Sequence, residues 1–495
     1  MTAGTRPDYT YAATARRSGS ASVRWNAVAM VGRQGAILVF SVFLARLLGP
    51  TSYGVVAQAS VYITLTTLLL DQGLSASLIS QHAVSRRAAG TAVTVNLLLA
   101  LVFAAVTVPL AEPLAVFLHT PELVLVLPVL GAGLLLKAAQ IVPRMLLMRT
   151  LDFRAIAVSD VGSAVAGGIL GVVAGLIGFG YWAIVVQLVS SDLLAAIVLI
   201  VAARPPLPAL AFRSLAGSAG FGARVFTGNL LSFVSRNIDN LLVGRFFGPT
   251  QLAYYSLAYR VLLSPVQMVG QVVTRVLFPA ISRVRDDHAR VSALTLRCIR
   301  AIAFVSFPFM AFVAVSAPDT VVTVLGPRWL PAVLVLQILA VTGARQAVTS
   351  INGSVLLGMA RSDLHLRFNI AAAVVQVGGI VAGLPFGIVG VATGYTIAGL
   401  VLTPVIGWLQ KHLVGTSYTA QAGSVLPALH GAAWLVAVYL LLDLTPIGAG
   451  PRIAIGLVAG VAAYALVLRF VHPRTWRAVV ADGRGLLPDR RAARV

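Results

Sequence analysis

Charged residues are scarce in this chain of 495 residues, and so is cysteine. Only 11% of the residues are charged, against about 25% in ordinary soluble domains, while 58% are hydrophobic. A soluble fold of this length needs more polar surface, so the composition excludes a water-soluble enzyme and a disordered chain. The single cysteine, Cys298, excludes an internal disulfide and a cysteine metal site. Long apolar runs, without the alternation of barrel strands, predict an all-α, polytopic membrane protein.

Motifs of nucleotide and metal chemistry are also missing. The sequence contains no GxxxxGK[ST] phosphate loop, no HExxH and no paired Cys/His cluster. We therefore expect no ATP hydrolysis, no cofactor and no metal centre. The net charge of +22 lies mainly in short loops between apolar runs, without a basic stripe interleaved with aromatics. This pattern follows the positive-inside rule and argues against nucleic acid as a partner.

About fourteen apolar segments are long enough to cross a bilayer. With the N-terminus inside, the inner connections hold most of the basic residues, and both glutamates fall in one outer loop. This asymmetry predicts a multi-pass protein of the cytoplasmic membrane with cytoplasmic N- and C-termini. The polar, arginine-containing start of the chain is typical of a cytoplasmic tail, not of a signal peptide. The predicted segments are 25–48, 54–80, 89–111, 123–145, 154–177, 181–202, 224–246, 252–279, 291–315, 331–357, 365–385, 388–410, 424–442 and 452–470.

Two pairs of similar strings indicate an internal repeat. The turn ARLLGPT at 45–51 matches GRFFGPT at 244–250, and GVVAGL at 171–176 matches GIVAGL at 379–384. The similar offsets predict a duplicated six-helix unit whose copies share one orientation and are related by an axis along the membrane normal. The GxxxG spacing inside the second pair predicts close helix approach.

The repeat and the spans together predict a domain organisation. Two six-helix lobes form the body, followed by two further helices, and the longest internal connection joins the lobes. The predicted parts are a cytoplasmic tail (1–24), an N-terminal six-helix lobe (25–202), an inter-lobe linker (203–223), a C-terminal six-helix lobe (224–410), two additional transmembrane helices (411–470) and a basic cytoplasmic tail (471–495).

The stretch NLLSFVSRNIDNLLVGRFFGPTQLAYYSLAYRVLLSPVQMVGQVVTRVLFPAISRV, residues 229–284, closely resembles the polysaccharide-transport branch of the MOP flippase superfamily. That branch contains the Wzx-type, colanic-acid-exporter-like flippases. ARLLGPTSYG (45–54) and DQGLSASLIS (71–80) fit the same pattern, and the resemblance covers most of 25–410. It implies a MATE-like fold with two lobes around a central cavity.

The same resemblance implies a function and partners. Members flip undecaprenyl-diphosphate-linked oligosaccharide units from the cytoplasmic to the outer leaflet by alternating access, for polysaccharide export. It therefore implies a lipid-diphosphate-linked oligosaccharide and the lipid bilayer as partners, with polysaccharide polymerase and glycosyltransferases acting beside it.

Ionisable residues inside the apolar segments are the candidate site. Each costs about 2.5–3.5 kcal/mol at bilayer depth, so each is expected to face a hydrated cavity or a partner. Basic residues outnumber acidic ones there, which predicts a cationic cavity suited to a diphosphate-sugar head group. The alternatives are structural pairing and snorkelling to the interface. The predicted head-group contacts are Arg33, Arg236, Arg260, Arg345 and Lys137, and the candidates for coupling to H⁺ or Na⁺ are Asp239, Asp160 and Asp192.

Two other functions stay open at this point. A multidrug or cation antiporter of the related MATE branch would favour an acidic cavity for cationic solutes. A membrane polysaccharide polymerase or ligase usually carries a sizeable outer loop with catalytic residues, whereas the outer connections here are short and nearly uncharged.

Overall fold

The computed structural model describes residues 9–10, 19–71, 83–210, 233, 237–260 and 277–486. Apart from a two-residue antiparallel pairing of Tyr9–Thr10 with Ala83–Val84, these residues form helices and turns, as expected for an all-α protein. The helices are α1 Gly19–Asp71, α2 Arg86–Phe117, α3 Leu123–Arg149, α4 Phe153–Leu176, α5 Trp182–Ala203, α6 237–260, α7 277–283, α8 His288–Thr320, α9 Ala332–Thr349, α10 Asn352–Gly358, α11 Ser362–Gly383, α12 Gly387–Val414, α13 Tyr418–Asp443, α14 Ala449–Phe470 and α15 Pro473–Leu486.

Ten helical segments of the described chain are long and apolar enough to cross a membrane. Two of them contain a break: Val28–Leu70 is interrupted at Gly49, and Ser362–Val414 at the 3₁₀ turn Leu384–Phe386. The first therefore covers most of the predicted span 25–48 and of the described part of 54–80, and the second contains 365–385 and 388–410. The chain is a multi-pass membrane protein. The total of fourteen stays a prediction, because parts of the segments 54–80, 224–246 and 252–279 lie outside the described residues.

By its internal contacts the chain divides into two units, Met1–Ala253 and Tyr254–Val495. The first unit contains α1–α5 and most of α6, and the second contains the end of α6 and α7–α15. Most of the predicted linker lies outside the described residues, so the predicted domain boundaries stay predictions. Part of the predicted C-terminal tail is helical, because α15 lies within it.

In the first unit, α4 packs through glycine on two of its faces. A Cβ atom on Gly168 would lie 2.2 Å from the ring of Phe40 in α1. A Cβ atom on Gly171 would lie 2.7 Å from the Cβ of Gln187 in α5. Because glycine has no side chain, both neighbouring helices approach α4 closely. The close approach predicted from the GxxxG spacing is confirmed here.

In the second unit, glycines meet directly across α11 and α12. A Cβ on Gly379 would lie 2.5 Å from the carbonyl oxygen of Gly394, and a Cβ on Gly383 would lie 2.2 Å from that of Gly390. The two helices therefore contact each other backbone to backbone along this seam. The seam confirms the predicted close approach at the second GxxxG string.

A network of ion pairs and one hydrogen bond connects α13 and α14 to α8. The Arg452 guanidinium of α14 pairs with Asp319 of α8 at 3.2 Å and also with Asp443 of α13. The hydroxyl of Tyr439 in α13 donates to Asp319 at 2.7 Å. Asp319 therefore joins three helices at one level of the second unit.

The two GPT strings form equivalent turns. Gly49 has φ 79° and Gly248 has φ 78°, a conformation that side-chain-bearing residues rarely adopt. A proline follows each glycine, and its fixed φ suits the first turn of the next helical stretch. The sequence repeat is therefore also a repeat of backbone geometry.

These two turns touch each other within the first unit. The Oγ1 atoms of Thr51 and Thr250, which occupy the same place in the two strings, lie 3.1 Å apart. A Cβ on Gly54 would lie 1.9 Å from the carbonyl oxygen of Pro249. Gln58 donates from Nε2 to the Gly244 carbonyl at 3.0 Å. Equivalent segments of the predicted repeat thus meet through like residues and close backbone contact.

Candidate functional site

Three polar side chains form one face of α3 in the first unit. Lys137, Gln140 and Arg144 follow the i, i+3, i+7 spacing that places residues on one side of a helix. The Lys137 ammonium lies 2.8 Å from a carboxylate oxygen of Asp192 in α5, and Gln140 donates to the backbone carbonyl of Asp192 at 2.9 Å. Arg144 donates through both terminal nitrogens to Asp160 in α4, with NH1 3.0 Å from Oδ2. The face thus ties α3 to α4 and α5.

These contacts match acid to base inside the first unit. Asp160 is buried, and Lys137 and Asp192 are half-buried. The two-pronged Arg144–Asp160 contact is the strongest geometry for such a pair. These contacts are structural pairing, one of the alternatives to a head-group role that the sequence left open for the charged residues. The head-group role of Lys137 and the coupling roles of both aspartates stay predictions.

The other predicted residues of the first unit and of α6 differ in exposure. Arg33 and Arg260 are exposed, and Arg33 has no carboxylate partner within the described residues. Asp239 is buried at 3% exposure, and its Oδ1 accepts from the backbone N–H of Asn240 at 2.8 Å. Arg236 lies outside the described residues.

Arg345 in α9 is the candidate cation of the second unit. Its Nε is buried and has no hydrogen-bond partner within the described residues. Its guanidinium lies against the bare backbone of α12 at Gly399, where a Cβ would be 2.6 Å from NH2. One turn earlier on both helices, the hydroxyls of Thr342 and Thr396 lie 2.6 Å apart. Glycine at position 399 therefore makes the room that the guanidinium occupies.

Tyrosines line the neighbouring turn of α12. Tyr395, one turn before Gly399, has its ring centroid 6.4 Å from that of Tyr259 in α6. Tyr259 in turn stacks on Tyr255 at 6.3 Å with an interplanar angle of 17°. These tyrosines are not among the site residues predicted from the sequence. The only local signal was the spacing of four between the two tyrosines of α6, which places them on one helix face.

Together these groups provide two kinds of recognition. A guanidinium presents a planar fork of donors that matches phosphate oxygens and keeps its charge when partly dehydrated. Aromatic rings present flat faces with negative potential, and phenol hydroxyls donate and accept hydrogen bonds. Such faces suit the C–H surfaces and hydroxyls of sugar rings. The second unit therefore offers a guanidinium suited to phosphate at Arg345 and a half-buried aromatic face at Tyr259, whose neighbour Tyr395 is buried.

Comparison with known proteins gives the family context. The model of the family described as "Polysaccharide biosynthesis protein" matches residues 43–334, more than half of the chain. The lipopolysaccharide biosynthesis protein WzxC of Escherichia coli (strain K12) is 26% identical over 404 residues, covering 80% of this chain and 81% of WzxC. The teichuronic acid biosynthesis protein TuaB of Bacillus subtilis (strain 168) is 27% identical over 437 residues, covering 84% of this chain and 88% of TuaB.

Solved structures show the same fold at lower identity. The lipid II flippase MurJ, in an inward closed conformation, superposes with a TM-score of 0.68 at 14% identity, over 90% of this chain and 99% of MurJ. An inward-facing MATE transporter of the MOP superfamily gives a TM-score of 0.54 at 17% identity, over 80% of this chain and 98% of that protein. The chain therefore belongs to the polysaccharide biosynthesis protein family, and it shares the fold of the MurJ and MATE structures.

Proposed function

We propose that this protein is a flippase that moves undecaprenyl-diphosphate-linked oligosaccharide units across the cytoplasmic membrane by alternating access, for polysaccharide export. The observation that carries the proposal is Arg345, a cation at membrane depth whose buried Nε has no partner within the described residues. A buried donor without a partner costs about 1–3 kcal/mol. A phosphate oxygen of the substrate would satisfy that donor and balance the charge.

The tyrosines beside Arg345 support the carbohydrate part of the proposal. Tyr395 lies one turn before Gly399 on α12, where the guanidinium packs, and the ring of Tyr259 in α6 lies next to that of Tyr395. A diphosphate at Arg345 would place the first sugar beside these rings. Arg33 and Arg260, both exposed, are the further head-group contacts that we propose, with Arg236 and Lys137 as predicted from the sequence.

The matched ion pairs argue against an exporter of cationic solutes. Such a function needs carboxylates that are available to the solute, but Asp160 and Asp192 are held by Arg144 and Lys137. The named relatives take part in lipopolysaccharide and teichuronic acid biosynthesis, which supports an anionic, carbohydrate-bearing cargo for this chain. We propose that polysaccharide polymerase and glycosyltransferases act on the same lipid-linked units before and after transport.

We further propose that coupling to H⁺ or Na⁺ uses the carboxylates Asp160, Asp192 and Asp239. Protonation of Asp192 would remove the charge that holds Lys137, and α3 and α5 would lose their ionic contact. Such a switch converts proton binding into a change of helix packing. We also propose cytoplasmic N- and C-termini, which the basic inner connections support.

The test is translocation by the full-length protein in proteoliposomes. Undecaprenyl-diphosphate-linked oligosaccharide is added symmetrically, and the fraction reached by an impermeant glycosidase is followed over time. The wild-type protein should expose the inner pool, and Arg345→Ala should slow this at least tenfold while expression and folding are unchanged. The matched control is Arg290→Ala, which changes an exposed arginine in the first turn of α8 that pairs with the helix cap Asp287, and it should transport normally. Equal rates for wild-type vesicles and empty vesicles would disprove the proposal.

A further inference from the structure

A groove of about 430 Å³ opens on the side of the first unit, between the start of α4 and the end of α5. Its walls are apolar, with Val158, Ile197 and Val201 among the lining residues, and its rim holds Asp152 and Arg154. The three wall residues are exposed in the protein. In a membrane-spanning unit, exposed apolar helix surface faces lipid chains, so the groove is open to the bilayer.

The groove follows from how the two helices pack. Farther along α4, glycine brings α5 close, since a Cβ on Gly167 would lie 2.0 Å from the hydroxyl of Ser191. Near the start of α4, Val158 lines the groove together with Val198 and Val201 at the end of α5. The two helices stay in contact beside the groove, where the Ser159 hydroxyl donates to the Ala195 carbonyl at 3.3 Å. The groove therefore lies on the outer side of this contact, along the exposed valine and isoleucine side chains.

The rim lies at the level of the membrane surface. α3 ends at Arg149 and α4 begins at Phe153, so the connection that holds Asp152 joins two spanning helices. The guanidinium of Arg154 lies 6.0 Å from the ring centre of Trp25. Tryptophan is enriched at the level of lipid head groups. The groove thus runs from the head-group level into the hydrocarbon.

The two rim charges are opposite but do not pair. Asp152 caps α4, with Oδ1 accepting from the backbone N–H of Ala155 at 3.1 Å. Within the described residues Asp152 makes no ion pair, and Arg154 lies over the ring of Trp25. An exposed acid and an exposed base, two residues apart and unpaired, present both signs of charge to one ligand.

We propose that this groove binds a phosphatidylethanolamine molecule, with one acyl chain along the apolar wall, the phosphate at Arg154 and the ammonium at Asp152. Chain contacts in a bilayer replace other chain contacts of equal apolarity, so they give little selectivity. The choice of lipid therefore rests on the head group. An anionic head group such as phosphatidylglycerol meets the repulsion of Asp152, and the quaternary ammonium of phosphatidylcholine has no N–H to donate to the carboxylate.

The test uses native mass spectrometry of the full-length protein in detergent, titrated separately with phosphatidylethanolamine, phosphatidylglycerol and phosphatidylcholine. Wild-type protein should bind phosphatidylethanolamine about fivefold more tightly than the other two, the upper end for one exposed ion pair. Asp152→Asn keeps a good helix cap and removes only the charge. It should abolish the preference over phosphatidylglycerol. Arg154→Ala should weaken binding of all three lipids.

Two further variants separate the groove from general lipid adsorption. Val201→Trp changes an exposed side chain and fills the groove without altering charge, so it should reduce phosphatidylethanolamine binding at least fivefold. Arg86→Ala removes an exposed arginine at the start of α2, away from the groove, and should bind as wild type. Equal wild-type affinity for phosphatidylethanolamine and phosphatidylglycerol would overturn the proposal, as would unchanged binding by Val201→Trp.

Discussion

Substituting Gly54 with alanine should separate the two Gly-Pro turns of the first unit. The new Cβ would lie 1.9 Å from the carbonyl oxygen of Pro249. A carbon–oxygen contact needs about 3.3 Å, so the backbones must move apart by about 1.4 Å. Overpacking of this kind costs about 1–3 kcal/mol. The population in which the turns touch should therefore fall about 5- to 150-fold relative to the separated state.

A disulfide across the turns measures that population. Thr51→Cys and Thr250→Cys replace hydroxyls that lie 3.1 Å apart, and Cys298→Ser removes the only natural thiol. Mild oxidation should cross-link this variant rapidly and stop flipping, and a reductant should restore it. Adding Gly54→Ala to this variant should slow cross-linking by about 5- to 150-fold. We expect transport to change with it, because the two turns belong to the two copies of the predicted repeat and alternating access moves such repeats against each other.

The matched control is Gly35→Ala on the same helix. A Cβ at Gly35 meets no atom within 4 Å, so the substitution adds a methyl group to open space. Cross-linking should keep its original rate in this variant. The reasoning fails if Gly54→Ala cross-links as fast as the parent, or if Gly35→Ala slows to the same extent.

Two further predictions concern the charged residues. Arg144→Ala should destabilise the protein by about 3 kcal/mol, because it leaves the buried Asp160 carboxylate without its partner. Arg144→Ala with Asp160→Asn should recover most of this in a thermal unfolding assay, and a double variant as unstable as the single one would refute the pairing. Gly399→Val should displace the guanidinium of Arg345 and slow flipping about as much as Arg345→Ala, whereas Arg345→Lys should keep part of the rate. Full activity of Gly399→Val would show that this guanidinium position does not matter for transport.

The repeat and the close helix pairs could be predicted because they depend on short-range requirements. A glycine before a proline marks a turn with positive φ, and the strings at 45–51 and 244–250 form such turns. GxxxG spacing marks helices that touch, and Gly171 and Gly379 lie at such contacts. These signals are encoded within a few consecutive residues, so one sequence suffices to find them.

The partners of the intramembrane charges could not be predicted in the same way. Lys137 and Asp192, or Arg144 and Asp160, meet because α3 turns one face toward α4 and α5. Apolar residues surround these helices on all sides, so the hydrophobic pattern does not reveal which face is buried. For the same reason the sequence did not connect Arg345 with Tyr395, which depends on how α9 packs on α12.

The glycine seam between α11 and α12 leaves room only for small groups such as the Cβ of Ala398 between these helices. Half of the residues of α11 are exposed, and only Ile380 and Gly383 are buried. Backbone contact that leaves so little space does not adjust by side-chain rotation. We therefore expect α11 and α12 to tilt together during a transport movement, and a methyl group added at Gly383 or Gly394 to weaken their pairing.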